Sequence, residues 1–252
     1  MSLLMGKPVI YLFSPLEREV RVRLGLAPQW SISALYPVVP INQTPGGKVH
    51  QTVEWIARTQ QDGTLTETST GTEVAYLFWE AHTVPDAPRS PPPSPRVEEK
   101  PRHSERFIPN DTHITPQNSV LLSIEALPIY LDKTLKMLVL HTEARTSFIT
   151  YWLPSFLKHK HIALRFLPQS SYEEAAPLDI TPTPDVVTRI FMLFHGVSED
   201  ELKNAGNGWT EAVDRSSEGV VFWQTVVGVD IGKAADENLF RVLEWGGMEV
   251  SC

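Results

Sequence analysis

The residues Glu19-Val-Arg-Val-Arg-Leu24 alternate strictly between charged and apolar side chains. A period of two is typical of a strand with one face in water and the other in a core. Similar patterns and short apolar runs predict further strands at Val9–Phe13, Trp30–Tyr36, Val53–Arg58 and Val74–Glu80. Short strands separated by turn signals such as Asp62-Gly63 favour an antiparallel, sandwich-like arrangement for residues 1–82.

Residues 83–117 have a different composition, because nine of the chain's 21 prolines fall between Pro85 and Pro116. Such a segment buries too little apolar surface to offset its ordering entropy, so the sequence predicts a disordered insertion. Within it, Arg89-Ser-Pro-Pro-Pro-Ser-Pro95 has the R-x-x-P-x-x-P spacing of SH3-type ligands. An SH3-type partner is one interpretation of this stretch, and a simple spacer is the other.

Residues 118–252 mix the two periodicities. A helix is predicted from Pro128 to Leu138, and a second helix after an N-cap at Thr142, ending or kinking at Pro154. Strands are predicted at Ser119–Ile124, His161–Leu167, Asp185–Phe194, Val220–Val229 and Phe240–Trp245, and a polar surface loop with a helical turn is predicted over Ser198–Ser217. The predicted fold class is therefore α+β: an N-terminal antiparallel β-sandwich-like half packed on a C-terminal half of antiparallel strands with two helices.

Composition excludes several classes of function. The 252 residues carry a formal net charge of -8, whereas nucleic acids and anionic membranes attract clustered Lys and Arg. No run of about 18 apolar residues is present to span a bilayer. The single cysteine, Cys252, cannot form an internal disulfide, and the apolar N-terminus lacks a basic segment of the kind that precedes a signal sequence. We therefore expect a cytoplasmic protein with neither a nucleic-acid nor a membrane partner.

Three charged residues lie inside otherwise apolar predicted strands. Glu80 shares a face with Tyr76 and Phe78, Glu244 lies in Phe240–Trp245, and Arg189 lies in Asp185–Phe194. A charge on an apolar face must be paired or must reach a cleft, because burying it alone costs several kcal/mol.

The functional interpretation brings these charges together in a cleft between the two halves. Glu80 and Glu244 would divide the acid and base roles, and Arg189 would bind an anionic or carbonyl group. Four aromatic residues would line the substrate site: Trp79, Tyr151, Trp152 and Trp245. The predicted protein is then a hydrolase or isomerase acting on a small polar organic molecule.

Two alternatives fit the same residues. The charges could form a structural Arg–Glu network that ties strands together. The protein could also be a non-catalytic carbohydrate- or protein-binding module that presents exposed aromatic residues and uses the proline-rich segment as a tether.

Metal and cofactor chemistry receive little support from the sequence. His159 and His161 form an H-x-H pair, but a zinc site needs a third and a fourth ligand, and the other histidines lie in unrelated contexts. Neither a P-loop nor a G-x-G-x-x-G or G-x-S-x-G motif is present. The sequence therefore predicts no metal and no cofactor.

Several short blocks occur in a fixed order along the chain: Lys7–Phe13, Asp62–Leu65, Tyr76–Glu80, Tyr151–Pro154, Ile180–Asp185, Arg189–Met192 and Glu244–Gly247. Together they resemble a family of bacterial and fungal proteins with KPVIYLYP, YLFWE, YWLP and WGG blocks. The resemblance implies that residues 8–82 and 118–250 form one unit with an insertion between them, and it transfers no catalytic residue.

Overall fold

The protein is described here by a computed structural model that covers residues 4–44, 49–84, 87, 107–204, 206 and 208–250. It has a mixed α+β fold, which confirms the predicted class. The strands of the described residues are β1 (Leu4–Phe13), β2 (Glu19–Leu26), β3 (Trp30–Tyr36), β4 (Asn42–Gln43), β5 (Gln51–Thr59), β6 (Leu65–Glu67), β7 (Glu73–Val74), β8 (Leu77–Thr83), β9 (Val120–Ser123), β10 (His161–Phe166), β11 (Leu178–Thr181), β12 (Val186–Val197) and β13 (Arg241–Glu249). The helices are α1 (Leu127–Met137), α2 (Thr142–Phe156), α3 (Gln169–Ala175), α4 (Glu199–Asn204), α5 (Thr210–Ser217), α6 (Phe222–Val227) and α7 (Ile231–Ala235).

A seven-stranded central sheet has the strand order β3-β8-β1-β13-β12-β10-β9. It contains strands from both predicted halves, joined by the antiparallel β1–β13 ladder in which Val9 faces Trp245. Strands β12 and β13 pair in parallel, unlike their neighbours, which pair in antiparallel fashion. The two halves therefore share one sheet.

The outer sheet has the order β11-β2-β5-β6-β7, with β4 on β5, and it packs over one face of the central sheet. Its β2 strand keeps the predicted alternation, since Val20, Val22 and Leu24 are buried. The core between the two sheets includes large side chains from both of them: Trp30, Trp55, Trp79, Phe191, Phe240 and Met248.

Helices cover the other face of the central sheet, which we call the helix face. Helix α2 packs Phe148, Trp152 and Phe156 into this second core, one residue per turn. Its N-cap is His141 rather than Thr142, and the helix continues through Pro154 to Phe156. No helix in the described parts of the chain combines the length and the apolarity needed to cross a bilayer.

The strand predicted at Val220–Val229 is wrong, because this stretch contains α6. A short apolar run does not by itself distinguish a strand from a buried helix. Here Trp223 and Val227, four residues apart, are both buried, and Gly228 ends the helix with a positive φ of 81°. The predicted polar loop at Ser198–Ser217 contains α4 and α5.

The end of the predicted insertion has a defined place in the core. The Phe107 ring lies 5.5 Å from the Trp30 ring and 5.7 Å from the Phe191 ring, measured between centroids. Residues 107–117 therefore belong to the packed fold. The proposed SH3-type ligand at Arg89–Pro95 lies outside the described residues.

Candidate functional site

The central sheet separates the predicted site residues onto its two faces. Trp79, Arg189 and Glu244 lie between the sheets. The others lie on the helix face: Glu80, Tyr151, Trp152 and Trp245. The predicted convergence of Glu80 with Glu244 and Arg189 is wrong, because Trp79 and Glu80 are consecutive strand residues and must point to opposite faces.

Between the sheets, Arg189 and Glu244 form a sealed ion pair. The Arg189 Nε and Glu244 Oε2 atoms are 2.5 Å apart, and the two side chains are 3% and 0% exposed. The other oxygen, Oε1, accepts hydrogen bonds from Trp79 Nε1 at 3.0 Å and from Tyr172 Oη at 3.2 Å. Both oxygens of this carboxylate are thus occupied by protein donors.

The guanidinium of Arg189 is held just as closely. Its Nη1 donates to the Glu173 carboxylate and, at 2.8 Å, to the Ala176 carbonyl, and its Cζ lies 4.3 Å from the centroid of the Tyr172 ring. Burial works against the charge, but Glu244, together with Tyr172 and Glu173, raises the pKa of Arg189 above its usual range. This geometry favours the structural Arg–Glu network over a catalytic role.

A cleft of about 470 Å³ opens where β2 and β11 meet, so it lies between strands of the two predicted halves. Glu173 connects this cleft to the buried ion pair, since it lines the cleft and accepts from Arg189. None of the seven predicted site residues is among those that line the cleft, which are Arg23, Gly25, Thr44, Val49, Thr52, Glu173, Pro177, Leu178 and Asp179.

On the helix face, the side chains converge around Lys7. The β1–β13 pairing is irregular between Gly6 and Val9, and Lys7 lies in this bulge with a φ of 48°. Residues other than glycine rarely adopt a positive φ. Those that do keep this backbone conformation only where the surrounding structure holds it in place.

The Lys7 ammonium is enclosed by three rings and a hydroxyl. Its Nζ donates to Ser147 Oγ at 2.8 Å. The centroids of the three rings lie 5.6 to 5.9 Å from Nζ, within the range of cation–π attraction, and belong to Tyr76, Tyr151 and Trp245. Burial lowers the pKa of Lys7, and the negative charge of Glu143 opposes that shift. The side chain is nevertheless only partly buried.

Two glycines make this arrangement possible. A Cβ on Gly6 would lie 2.5 Å from Tyr151 Oη and 2.8 Å from Trp152 Cη2. Gly247 pairs with Gly6 across the β1–β13 ladder, and a Cβ there would lie 3.1 Å from Trp152 Cζ2. Helix α2 can therefore rest its aromatic side chains directly on the backbone of the sheet.

Glu80 meets Tyr151 at the edge of this cluster, where the tyrosine hydroxyl donates to Glu80 Oε1 at 3.2 Å. Burial and the charge of Glu80 raise the pKa of Tyr151, so the phenol keeps its proton at neutral pH.

A second carboxylate, Glu143, lies on the other side of Lys7. Its Oε2 accepts from Tyr11 Oη at 2.7 Å and lies 3.3 Å from His141 Nε2. Burial, followed by the hydrogen bond to Glu143, raises the pKa of Tyr11; burial also lowers the pKa of His141, against the pull of Glu143. We name the whole set the Lys7 site: Lys7, Tyr11, Tyr76, Glu80, His141, Glu143, Ser147, Tyr151 and Trp245.

Sequence reasoning missed the centre of this site. It selected Glu80, Tyr151 and Trp245 but not Lys7 or Ser147. Lys7 directly precedes the apolar run of β1. A charged residue at the border of a buried strand was the sequence feature that could have identified it. Ser147 lies inside a helix and belongs to no recognisable motif.

No group of three or more His, Cys, Asp or Glu side chains in the described part of the chain is placed to bind a metal ion. In the H-x-H pair, His159 Nε2 lies 3.3 Å from Glu249 Oε1, on β13.

Comparison of the chain with protein-family models, with curated proteins and with solved structures gives no match.

Proposed function

We propose that this protein is a cytosolic enzyme that applies acid–base chemistry to a small polar organic molecule, as a hydrolase or isomerase, at the Lys7 site. The observation that carries the proposal is the conformation of Lys7, a lysine with a φ of 48° whose ammonium is enclosed by three aromatic rings yet partly open to water. Backbone strain at a charged residue is concentrated at functional sites, where it fixes a side chain in advance.

Lys7 takes the role that the sequence suggested for Arg189. The amino group of Lys7, among aromatic walls, donates a hydrogen bond to a carbonyl or anionic group of the substrate, and the low local polarity strengthens that hydrogen bond. Arg189 and Glu244 support the site from the opposite face of the sheet by fixing the register of β12 and β13, where they pair.

The proton transfers fall to two carboxylates in unlike surroundings. Glu80 is partly buried and bonded to Tyr151, whereas Glu143 is more exposed and bonded to Tyr11. We assign Glu80 a role as acid or base, with Tyr151 as a neutral hydrogen-bond donor to the substrate and with the buried Trp245 and Trp152 packed behind the site.

A thermal-shift screen of small polar metabolites tests the proposal. We expect a ligand that raises the Tm of the wild type, and we expect that shift to disappear in Lys7→Met and Tyr151→Phe. Glu54→Gln is the matched control, because this strand carboxylate lies on the outer sheet and should leave the shift unchanged.

Turnover of the identified ligand then tests the acid–base role. Glu80→Gln should lower kcat by about 100-fold or more, which is the usual effect of removing a general acid or base. Unchanged turnover in Glu80→Gln would remove Glu80 from the mechanism, and a ligand whose shift survives in both Lys7→Met and Tyr151→Phe would move the site elsewhere.

A second candidate is a non-catalytic carbohydrate- or protein-binding module. It is favoured by exposed side chains at the end of β3 and just after it, namely Tyr36 at 51% and Val38 at 73% exposure. The pairing of both Glu244 oxygens inside the fold also favours it. It is disfavoured by the burial of all seven tryptophans, which leaves no indole platform. Saturable binding that is lost in Tyr36→Ala and retained in Lys7→Met, with no turnover, would select this candidate.

A further inference from the structure

The hydrogen bond between Lys7 and Ser147 joins a strained strand residue to a helix. Lys7 Nζ lies 2.8 Å from Ser147 Oγ, across 140 positions of sequence. Both side chains are partly buried, so the pair is neither sealed in the core nor fully in water. A lysine amine within hydrogen-bonding distance of a serine hydroxyl is one of the known arrangements that activate serine as a nucleophile.

We propose that Ser147 is an acyl-accepting nucleophile and that Lys7 is its general base. This inference rests on the proposed function, and it deepens it by naming the substrate class: an ester or another activated acyl compound of small size.

The reaction takes place in two balanced steps. In the first, Ser147 Oγ forms a bond to the acyl carbon, its proton moves to the neutral Lys7 amine, and the leaving alcohol departs with that proton. In the second, Lys7 takes a proton from water as the water oxygen attacks the acyl ester. The carboxylic acid is released, and Ser147 Oγ recovers its proton from Lys7.

The surroundings of Lys7 suit a base. A lysine can accept a proton only when it is neutral, and burial lowers the pKa of Lys7. In the neutral form the amine accepts a hydrogen bond from the Ser147 hydroxyl, which reverses the donation made by the ammonium over the same 2.8 Å. The three neighbouring rings carry no formal charge, and the negative charge of Glu143 opposes the lowering of the Lys7 pKa. Ser147 Oγ therefore faces an amine in a largely apolar enclosure.

The helix supplies a hydrogen-bond donor beside the nucleophile. Tyr151 follows Ser147 by four residues in α2, so the two side chains lie on the same face of that helix. The raised pKa of Tyr151 keeps its hydroxyl protonated. In the free protein that one proton is donated to Glu80, and we expect it to turn to the developing oxyanion during the reaction.

An alkyl fluorophosphonate is the probe that tests the dyad, because it reacts covalently with an activated serine. We expect one adduct per wild-type chain, located by peptide mass spectrometry at Ser147. Trypsin cleavage after Arg145 and Lys158 isolates this serine in a peptide that also contains Ser155, which provides an internal comparison.

The variants distinguish a role of Lys7 as general base from a purely structural contact with Ser147. Ser147→Ala, Lys7→Met and Lys7→Arg should each lower the labelling rate by about 100-fold or more. Lys7→Arg is decisive, because arginine keeps the charge and the hydrogen bond but does not act as a base near neutral pH. Ser155→Ala, on the same helix, should label like the wild type. Circular dichroism and Tm must show that each variant is folded.

The outcomes keep this inference distinct from the proposed function. Unlabelled wild type, labelling at another serine, or normal labelling of folded Lys7→Arg would each overturn the dyad. If the metabolite shift described above is nevertheless lost in Tyr151→Phe, the Lys7 site keeps its function and only the covalent step fails.

Discussion

Replacing Arg189 with methionine should destabilise the protein severely. The change leaves the Glu244 carboxylate, which is 0% exposed, with only the neutral donors Trp79 and Tyr172. Removing one partner of a buried ion pair costs about 3–5 kcal/mol, since the remaining charge is desolvated without compensation. For a chain of this length 1 kcal/mol corresponds to about 2–4 °C in Tm, so we expect a loss of roughly 6–20 °C.

Urea unfolding followed by tryptophan fluorescence measures this loss. Arg21→Met is the matched control, because the Arg21–Glu54 pair is 59% and 41% exposed with 3.7 Å between Nε and Oε1. Exposed pairs of this kind contribute at most about 1 kcal/mol.

The double variant Arg189→Met/Glu244→Gln tests the cause. It removes the unpaired charge, so the combined loss should be smaller than the sum of the two single losses by at least about 1 kcal/mol. Two results would refute the reasoning: a loss in Arg189→Met no larger than in Arg21→Met, or strictly additive losses in the double variant.

Three further changes test other parts of the structure. Gly6→Ala places a Cβ 2.5 Å from Tyr151 Oη and should cost about 1–3 kcal/mol of unfolding free energy; a neutral effect by urea unfolding would contradict the close packing of α2 on the sheet. Tyr130→Phe removes the acceptor of the buried Trp223 Nε1 hydrogen bond, 2.9 Å long, and should cost about 1–3 kcal/mol by the same assay, unlike an exposed Tyr→Phe change. Because folding lowers the pKa of Lys7 below 10.5, the unfolded chain binds more protons between that lowered pKa and pH 10.5, and the wild type gains stability with rising pH in this window. The stability of the wild type relative to Lys7→Met should therefore increase as the pH rises to 10.5, and a flat or falling difference in unfolding free energy up to that pH would show that Lys7 is not desolvated.

The sequence was informative where a pattern is local. The alternation in β2 predicted a half-buried strand, and the residues after Thr142 predicted the helix that forms α2. Both predictions are confirmed. The backbone of a strand or a helix fixes how often a side chain returns to the buried face, so apolar residues recur at that spacing in the sequence.

The sequence could not say which charges meet, since that depends on the pairing of distant strands. Glu80 and Glu244 look alike in sequence, each beside a tryptophan in an apolar strand. Their faces are set by the register of β8 and β13 against β1, which no local pattern encodes. Lys7 was missed for a similar reason, because its position follows from a bulge and a positive φ.

The two Trp–Glu pairs explain how one sheet carries two different polar clusters. Strand β8 reads Trp79-Glu80 and strand β13 reads Glu244-Trp245, so each face of the sheet receives one tryptophan and one carboxylate. Between the sheets the carboxylate is neutralised by Arg189 and closed off from water.

On the helix face, Glu80 and Trp245 meet partly exposed groups instead. Glu80 accepts a hydrogen bond from the Tyr151 hydroxyl, and the centroid of the Trp245 ring lies 5.6 Å from Lys7 Nζ. A buried ion pair on one side supports a preorganised site on the other side, because a strained lysine keeps its position only if the strands beneath it cannot shift. We therefore expect changes at Arg189 to alter stability first, and changes at Lys7 to alter reactivity first.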